Sequence, residues 1–186
     1  MSETILMISL SFLVITVAFL VLQLYRNMLR TKKQQGLLKS DEGLPKGETY
    51  PITTLKTIVG QEVTISKKTR GVILIFTSYG CSGCKRVYPF LELLKKEYPK
   101  IQFELIMLAN KKQAQETISL YNLEDWSVSI IDHEHLHTLG ITGFPFSYLI
   151  SNEGKVIEKG LINYKKDIDF LVSMLQVKKY LNIFRT

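Results

Sequence analysis

The chain opens with a long apolar run. From Ile5 to Leu24 no charged residue occurs, and only Ser9, Ser11, Thr16 and Gln23 interrupt it. About 20 such residues cross the hydrocarbon core of a bilayer as a helix, so a membrane span is predicted here. From Arg26 to Tyr50 the pattern turns polar, with Gly36, Gly43, Pro45 and Gly47 breaking any period. That composition predicts a linker. Beyond it, short apolar runs alternate with amphipathic stretches. Ile52–Ile58 and Glu62–Ile65, around Gly60-Gln61, predict a strand pair, and Gly71–Thr77 a third strand. Ser82–Tyr98 predicts a helix, with Val87, Phe90, Leu91 and Leu94 on one face and a kink at Pro89. A strand over 101–108, a helix over 111–121, a short strand over 128–131 and a helical turn over 133–139 follow. Phe146–Ser151 and Lys155–Gly160 read as a hairpin across Asn152-Glu153-Gly154. A last helix over 166–180 carries Ile168, Leu171, Val172 and Leu175 on one face. Strands alternating with helices and ending in a hairpin predict an α/β mixed-sheet sandwich. The expected division is an anchor over 1–25, a polar linker over 26–50 and one domain over 51–186.

Charge narrows the partners. The formal net charge of +7 comes from scattered lysines rather than a basic patch interleaved with aromatics. Nucleic acid is therefore not an expected partner. A basic surface tethered to a bilayer suits anionic headgroups instead. The head of the chain, Met1-Ser2-Glu3-Thr4, is not basic, and no A-x-A pattern follows the apolar run. An uncleaved single-pass anchor is expected rather than a removed signal peptide. Its orientation is pulled two ways. Arg26, Arg30, Lys32 and Lys33 follow the run, which by the positive-inside rule favours a cytoplasmic domain.

The chemistry pulls the other way. The only two cysteines of the chain, Cys81 and Cys84, form a C-x-x-C pair directly after the predicted strand. A strand that delivers thiols to a helix start places Cys81 among unpaired backbone N–H groups, where a thiolate is favoured. Cys84, one turn on, is near enough to close a disulfide. Such a pair suits thiol–disulfide exchange, with Cys81 attacking and Cys84 resolving. Structural zinc would need four Cys or His ligands, and no second cysteine pair exists. A purely structural disulfide this short closes too small a loop to stabilise much. A dithiol is most useful where disulfides persist, so the domain is expected outside the cytoplasm, at the cell membrane.

The stretch Gly71-Val-Ile-Leu-Ile-Phe-Thr-Ser-Tyr-Gly-Cys-Ser-Gly-Cys, followed by Pro89, resembles the membrane-anchored thioredoxin-like proteins of the TlpA/ResA group. It is similar also to MauD-type accessory proteins. Leu139-Gly-Ile-Thr-Gly-Phe-Pro-Phe-Ser-Tyr-Leu-Ile resembles the segment that carries this fold's cis-proline, and Asn152-Glu-Gly-Lys its hairpin turn. The resemblance implies a thioredoxin-like fold and a cis Phe144–Pro145 bond beside the cysteines. It also implies partner contacts at Gly80, Phe144 and Pro145, with an extended peptide adding to the loop before the proline. Protein disulfides or thiols are the implied substrates and another membrane dithiol protein the implied redox partner. No cofactor is needed. This chain departs from the family at three places. Gly80 replaces the common tryptophan, Phe144 is bulky, and Val72–Phe76 lacks the buried acid that many members carry.

His133, His135 and His137 form a second constellation. On a helix His133 and His137 share a face at i,i+4, a spacing compatible with metal. The alternative function is therefore a thioredoxin-like copper or zinc carrier that uses the cysteines with these histidines. The plainer expectation is a solvated polar turn and no metal site.

Overall fold

The computed structural model describes residues 2–33, 41–64 and 69–183. Gly36 and Ile65 of the expectations above lie outside them. The chain divides into two compact units, 1–36 and 37–186. The first is the helix α1 (Ser2–Lys33). Its Met7–Arg26 stretch is long and apolar enough to cross a membrane. Two of its polar interruptions are satisfied within the helix. Ser11 Oγ donates to Met7 O at 2.9 Å, and Thr16 Oγ1 to Phe12 O at 2.7 Å. Bonds of this kind let hydroxyls enter hydrocarbon without an orphaned polar group.

The second unit is built on a five-stranded sheet. In chain order its strands are β3 (Gly71–Ser78), β4 (Gln102–Leu108), β5 (Val128–Ile131), β6 (Phe146–Ser151) and β7 (Val156–Leu161). In space they lie β5-β4-β3-β6-β7, preceded in sequence by a separate antiparallel pair, β1 (Thr54–Lys56) and β2 (Glu62–Thr64). β3 pairs in parallel with β4 and antiparallel with β6, so the sheet is mixed. Residues 71–77 of β3 are all buried, because this central strand is covered on both faces. Its run of β-branched and large apolar side chains is what two-sided burial demands.

The alternation along β3 sorts the core into two layers. Ile73 and Ile75 face Leu91 and Leu94 of α2 (Tyr88–Glu97), Ala114 of α3 (Lys111–Tyr121), and Ile168 and Leu171 of α5 (Lys165–Ile183). Val72, Leu74 and Phe76 face the other way, toward Tyr50, Leu55, Ile141, and Leu136 of α4 (His133–Thr138). The helices α3 and α4 start on side-chain caps. Asn110 and Gln113 form a reciprocal capping box, and Asp132 accepts from the His135 N–H at 2.8 Å.

Two stretches depart from the predicted pattern. Within the polar segment 26–50, α1 continues to Lys33 and residues 41–50 pack on the domain. Gly47 N donates to Val156 O at 2.8 Å and Tyr50 N to Gly154 O at 2.8 Å, so the segment covers the start of the β7 edge. Ile58 N donates to Val128 O at 2.9 Å, covering part of the opposite edge at β5. Both edges thereby lose some of their unpaired backbone groups. The helix expected over 82–98 is also divided. A 3₁₀ turn, Cys84–Arg86, precedes α2, and Pro89 sits in the first turn of α2 rather than kinking it. There its missing N–H breaks no helical bond.

Tyr148 of β6 joins the ordered 41–50 segment to the domain. Its hydroxyl donates to Leu139 O at 2.6 Å and accepts from Leu44 N at 2.7 Å. Burial pushes the phenol pKa up to about 12. Tyr148→Phe leaves two backbone groups without this partner and is expected to cost about 1–3 kcal/mol in urea unfolding at neutral pH. The raised folded pKa means that the phenol's contribution is complete below pH 10 and is lost as pH rises through about 12. The gap between variant and wild type should close over that interval.

Candidate active site

The C-terminal end of β3 delivers the cysteines. After Ser78 the chain turns through Tyr79 and Gly80, with Tyr79 N bonded to Leu108 O at 3.1 Å on the neighbouring strand. Gly80 has φ +76°, the left-handed region, and a Cβ there would meet nothing within 4 Å. The turn therefore takes glycine for its backbone angle and not for space. With no side chain at Gly80, the approach to Cys81 is open on this side.

Cys81 and Cys84 form a disulfide with a Cα–Cα separation of 5.3 Å. Their exposures differ: Cys84 is fully buried among Val87, Tyr88 and Leu91, while Cys81 is partly accessible. The Cys84 N–H donates to Cys81 Sγ at 3.1 Å. A backbone donor aimed at a sulfur favours the thiolate there once the disulfide is reduced. Lys85 N–H and Val87 N–H bond back to Cys81 O and Cys84 O at 3.4 and 2.9 Å. The peptide dipoles of this turn are thus aligned toward α2, although the α-helix proper begins only at Tyr88. The side chains of Lys85 and Arg86, both exposed, add positive charge beside the pair.

The loop 139–145 lies against this turn. Its Phe144–Pro145 bond is cis, as the resemblance implies. A Cβ built on Gly83 would lie 3.1 Å from Pro145 Cδ, 3.5 Å from Phe144 O and 3.9 Å from Cys81 Sγ. Pro145 is buried and Phe144 half-buried, and Pro145 O accepts from Ile162 N at 3.0 Å. The residues singled out in sequence, Gly80, Cys81, Cys84, Phe144 and Pro145, all lie in the β3–α2 turn and the proline loop that meets it.

Two polar features of this region carry no signal in the sequence pattern. Tyr79 Oη donates to Glu116 Oε2 at 3.0 Å, tying the rim of the site to α3 and raising the phenol pKa. Glu104, a buried carboxylate on β4, pairs in register with Leu74. It therefore shares the sheet face opposite Cys84. It does not stand in for the acid missing from β3. On the cysteine face the polar side chain of β3 is Thr77, fully buried.

The histidines lie on a different element from the cysteines. All three are exposed on α4, and His135 Nδ1 pairs with Asp132 Oδ1 at 2.7 Å. The backbone and ring donors of His135 hold the Asp132 carboxyl below its usual range. Among the described residues no three His, Cys, Asp or Glu side chains gather as a ligand set. The histidines and the cysteine pair do not form one site.

No family model matches the chain. Curated relatives do. Methylamine utilization protein MauD of Methylophilus methylotrophus is 22% identical over 145 residues, covering 76% of this chain and 67% of that protein. Thiol-disulfide oxidoreductase ResA of Bacillus cereus is 26% identical over 133 residues, covering 67% and 75%. Among solved structures, a putative thiol:disulfide interchange protein DsbE from Chlorobium tepidum superposes with a TM-score of 0.61. It is 23% identical and covers 71% of this chain and 99% of its own.

The φ of Gly80 generates a direct test. Gly80→Ala is expected to cost about 1 kcal/mol in chemical denaturation, with the cysteine pair still able to close. Strand order, cysteine turn, cis-proline loop and relatives agree: the chain has a thioredoxin-like fold and is similar in sequence to the ResA thiol-disulfide oxidoreductases and to MauD.

Proposed function

We propose that this chain is a membrane-tethered thiol–disulfide oxidoreductase that exchanges protein disulfides outside the cytoplasm. The observation that carries the reading is the asymmetry of the pair. Cys81 is partly accessible and its Sγ takes the Cys84 N–H at 3.1 Å, whereas Cys84 is sealed in the core. In the reduced protein the Cys81 thiolate attacks a partner disulfide, releasing one partner sulfur as a thiolate that takes up a proton. Cys84 loses its proton and attacks the mixed disulfide. The second partner thiol leaves, and the Cys81–Cys84 bond forms. Two electrons pass from the pair to the partner, so no further cofactor is required. The same steps in reverse oxidise a client. A membrane dithiol protein is the redox partner that would reset the pair.

The loop before Pro145 serves as the partner-binding edge in this reading. Phe144 O faces the C-x-x-C turn, and an extended peptide added alongside would bring its sulfur toward Cys81. α1 supports the tether, since its apolar window meets the length a bilayer requires. The extracytoplasmic side is favoured by the chemistry of a persistent disulfide.

The roles of the two cysteines separate in trapping. Cys81→Ser is expected to abolish exchange with a disulfide-bonded protein, while Cys84→Ser accumulates a mixed disulfide on non-reducing gels. Preferential alkylation of Cys84 in the reduced protein at neutral pH would reverse the assignment. Sidedness is tested on its own. Protease added to intact spheroplasts should remove the domain and leave an α1-sized fragment. A domain protected until lysis would place the reaction in the cytoplasm.

A further inference from the structure

The loop that ends in Pro145 is held from outside by residues that precede the domain's first strand. Gly43 N donates to Gly140 O at 2.7 Å, and Gly143 N donates to Glu42 Oε2 at 3.1 Å. Through the Tyr148 hydroxyl, Leu44 N is linked to Leu139 O. Three backbone groups of the loop, at 139, 140 and 143, are therefore fixed by one short strap and the tyrosine it engages. The strap is itself anchored. The mostly buried Lys159 donates to Gly43 O at 2.6 Å, and Lys46 Nζ bonds Glu158 Oε2 at 2.7 Å.

Strap and loop approach closely, and at Gly140 no side chain fits between them without displacing backbone. A Cβ on Gly140, which has φ +67°, would lie 3.2 Å from the Gly43 backbone. One on Gly143 would lie 3.2 Å from Leu161 Cδ2 and 3.4 Å from Glu42 Oε2. Glycine at 140 is what lets the strap reach the loop backbone directly, and glycine at 143 leaves the Glu42 carboxylate in ordinary contact distance of the loop. Among these contacts only the one at Glu42 is made by an ionised side chain to a loop N–H. It acts on the residue immediately before Phe144. Hydrogen bonds to charged groups are shorter and roughly twice as strong as neutral ones.

We propose that Glu42 is a positioning residue for disulfide exchange, its carboxylate fixing the Gly143 N–H and so the Phe144–Pro145 edge that receives an extended partner peptide. This rests on the reading of that loop as the partner-binding edge. Glu42 touches neither cysteine. Its effect falls on partners that use the loop and not on small disulfides that reach Cys81 through the open side at Gly80.

The test uses the full-length chain in detergent, reduced and then mixed with one of two oxidants. One is an extended peptide whose cysteine is disulfide-linked to glutathione. The other is hydroxyethyl disulfide, which has no backbone to pair. Glu42→Ala is expected to raise the half-saturating peptide concentration about tenfold, the worth of one charged hydrogen bond. The hydroxyethyl disulfide rate should stay within about twofold, since surface changes elsewhere cost little. Glu42→Gln keeps an acceptor and should recover most of the peptide affinity. If Glu42→Ala fails to fold, Glu42→Asp, which keeps the charge but shortens its reach, supplies the same comparison. Phe144→Ala separates the two levels of the argument. If it leaves peptide half-saturation unchanged, the loop is not the partner edge and the proposal falls with that reading. If it raises half-saturation while Glu42→Ala does not, the assignment of Glu42 alone is overturned. A proportional loss with both oxidants in Glu42→Ala would also overturn it, marking a merely structural residue.

Discussion

The contact between the C-x-x-C turn and the cis-proline loop is the constraint on which the rest of the molecule depends. Gly83 meets Pro145 with no room for a larger side chain to sit unnoticed, and each partner in that contact is held by a different part of the fold. The cysteine turn hangs from β3, a strand buried on both faces and hydrogen-bonded on both sides. The proline loop leads into β6, the antiparallel neighbour of the same strand. Two adjacent strands therefore set the distance between thiol and loop, and the sheet is rigid because its interior is packed on either side. Buried cores of this density transmit displacement rather than absorb it. A shift in β3 or β6 would be felt at Cys81.

The same architecture explains the asymmetry of the two sulfurs. The turn after β3 is short, and the 3₁₀ turn at Cys84–Arg86 rolls the chain inward before α2 begins. Cys84 is carried down onto the helical face of the core beside Val87 and Leu91, while Cys81 stays at the rim. A buried thiol in apolar surroundings resists ionisation, and a rim sulfur beside a backbone N–H favours it. In the proposed exchange, nucleophile and resolving group thus differ by position alone, without a dedicated base on β3. Thr77, the polar residue of that strand on the cysteine face, cannot supply a carboxylate's charge.

Much of this was legible in the residue pattern because it rests on local or periodic signals. The all-apolar Val72–Phe76 run, the paired cysteines behind it and the amphipathic 111–121 and 166–180 stretches each report burial directly. The cis bond at Pro145 came from the resemblance, since no local pattern distinguishes it from a trans turn. The division at 84–88 was not legible. Val87, Phe90, Leu91 and Leu94 fit one helical face whether the first turn is 3₁₀ or α, and Pro89 is compatible with a kink or a start. The histidine spacing raised a metal possibility because spacing reports a shared face but not what lies opposite it. His135 engages Asp132, its own helix cap.

The strap at 41–50 shows why composition misleads most where backbone groups do the bonding. Its glycines, proline and charges read as a linker, and nothing in them marks the partners of Gly43 N, Gly47 N or Tyr50 N. Those bonds are made to carbonyls more than 90 residues away in the sequence. The side-chain hints are Leu44, half-buried on the core, and Tyr50, at 2% exposure, a large aromatic closing a polar stretch. Yet the consequence for the site is direct. The glycines at 140 and 143, which in sequence look like simple loop residues, are the points at which a second stretch of chain approaches. Glycine-rich loops near a reactive pair are usually read as freedom to move. Here the missing Cβ of Gly140 does the reverse, since it admits the strap whose donors and carboxylate hold the loop in place.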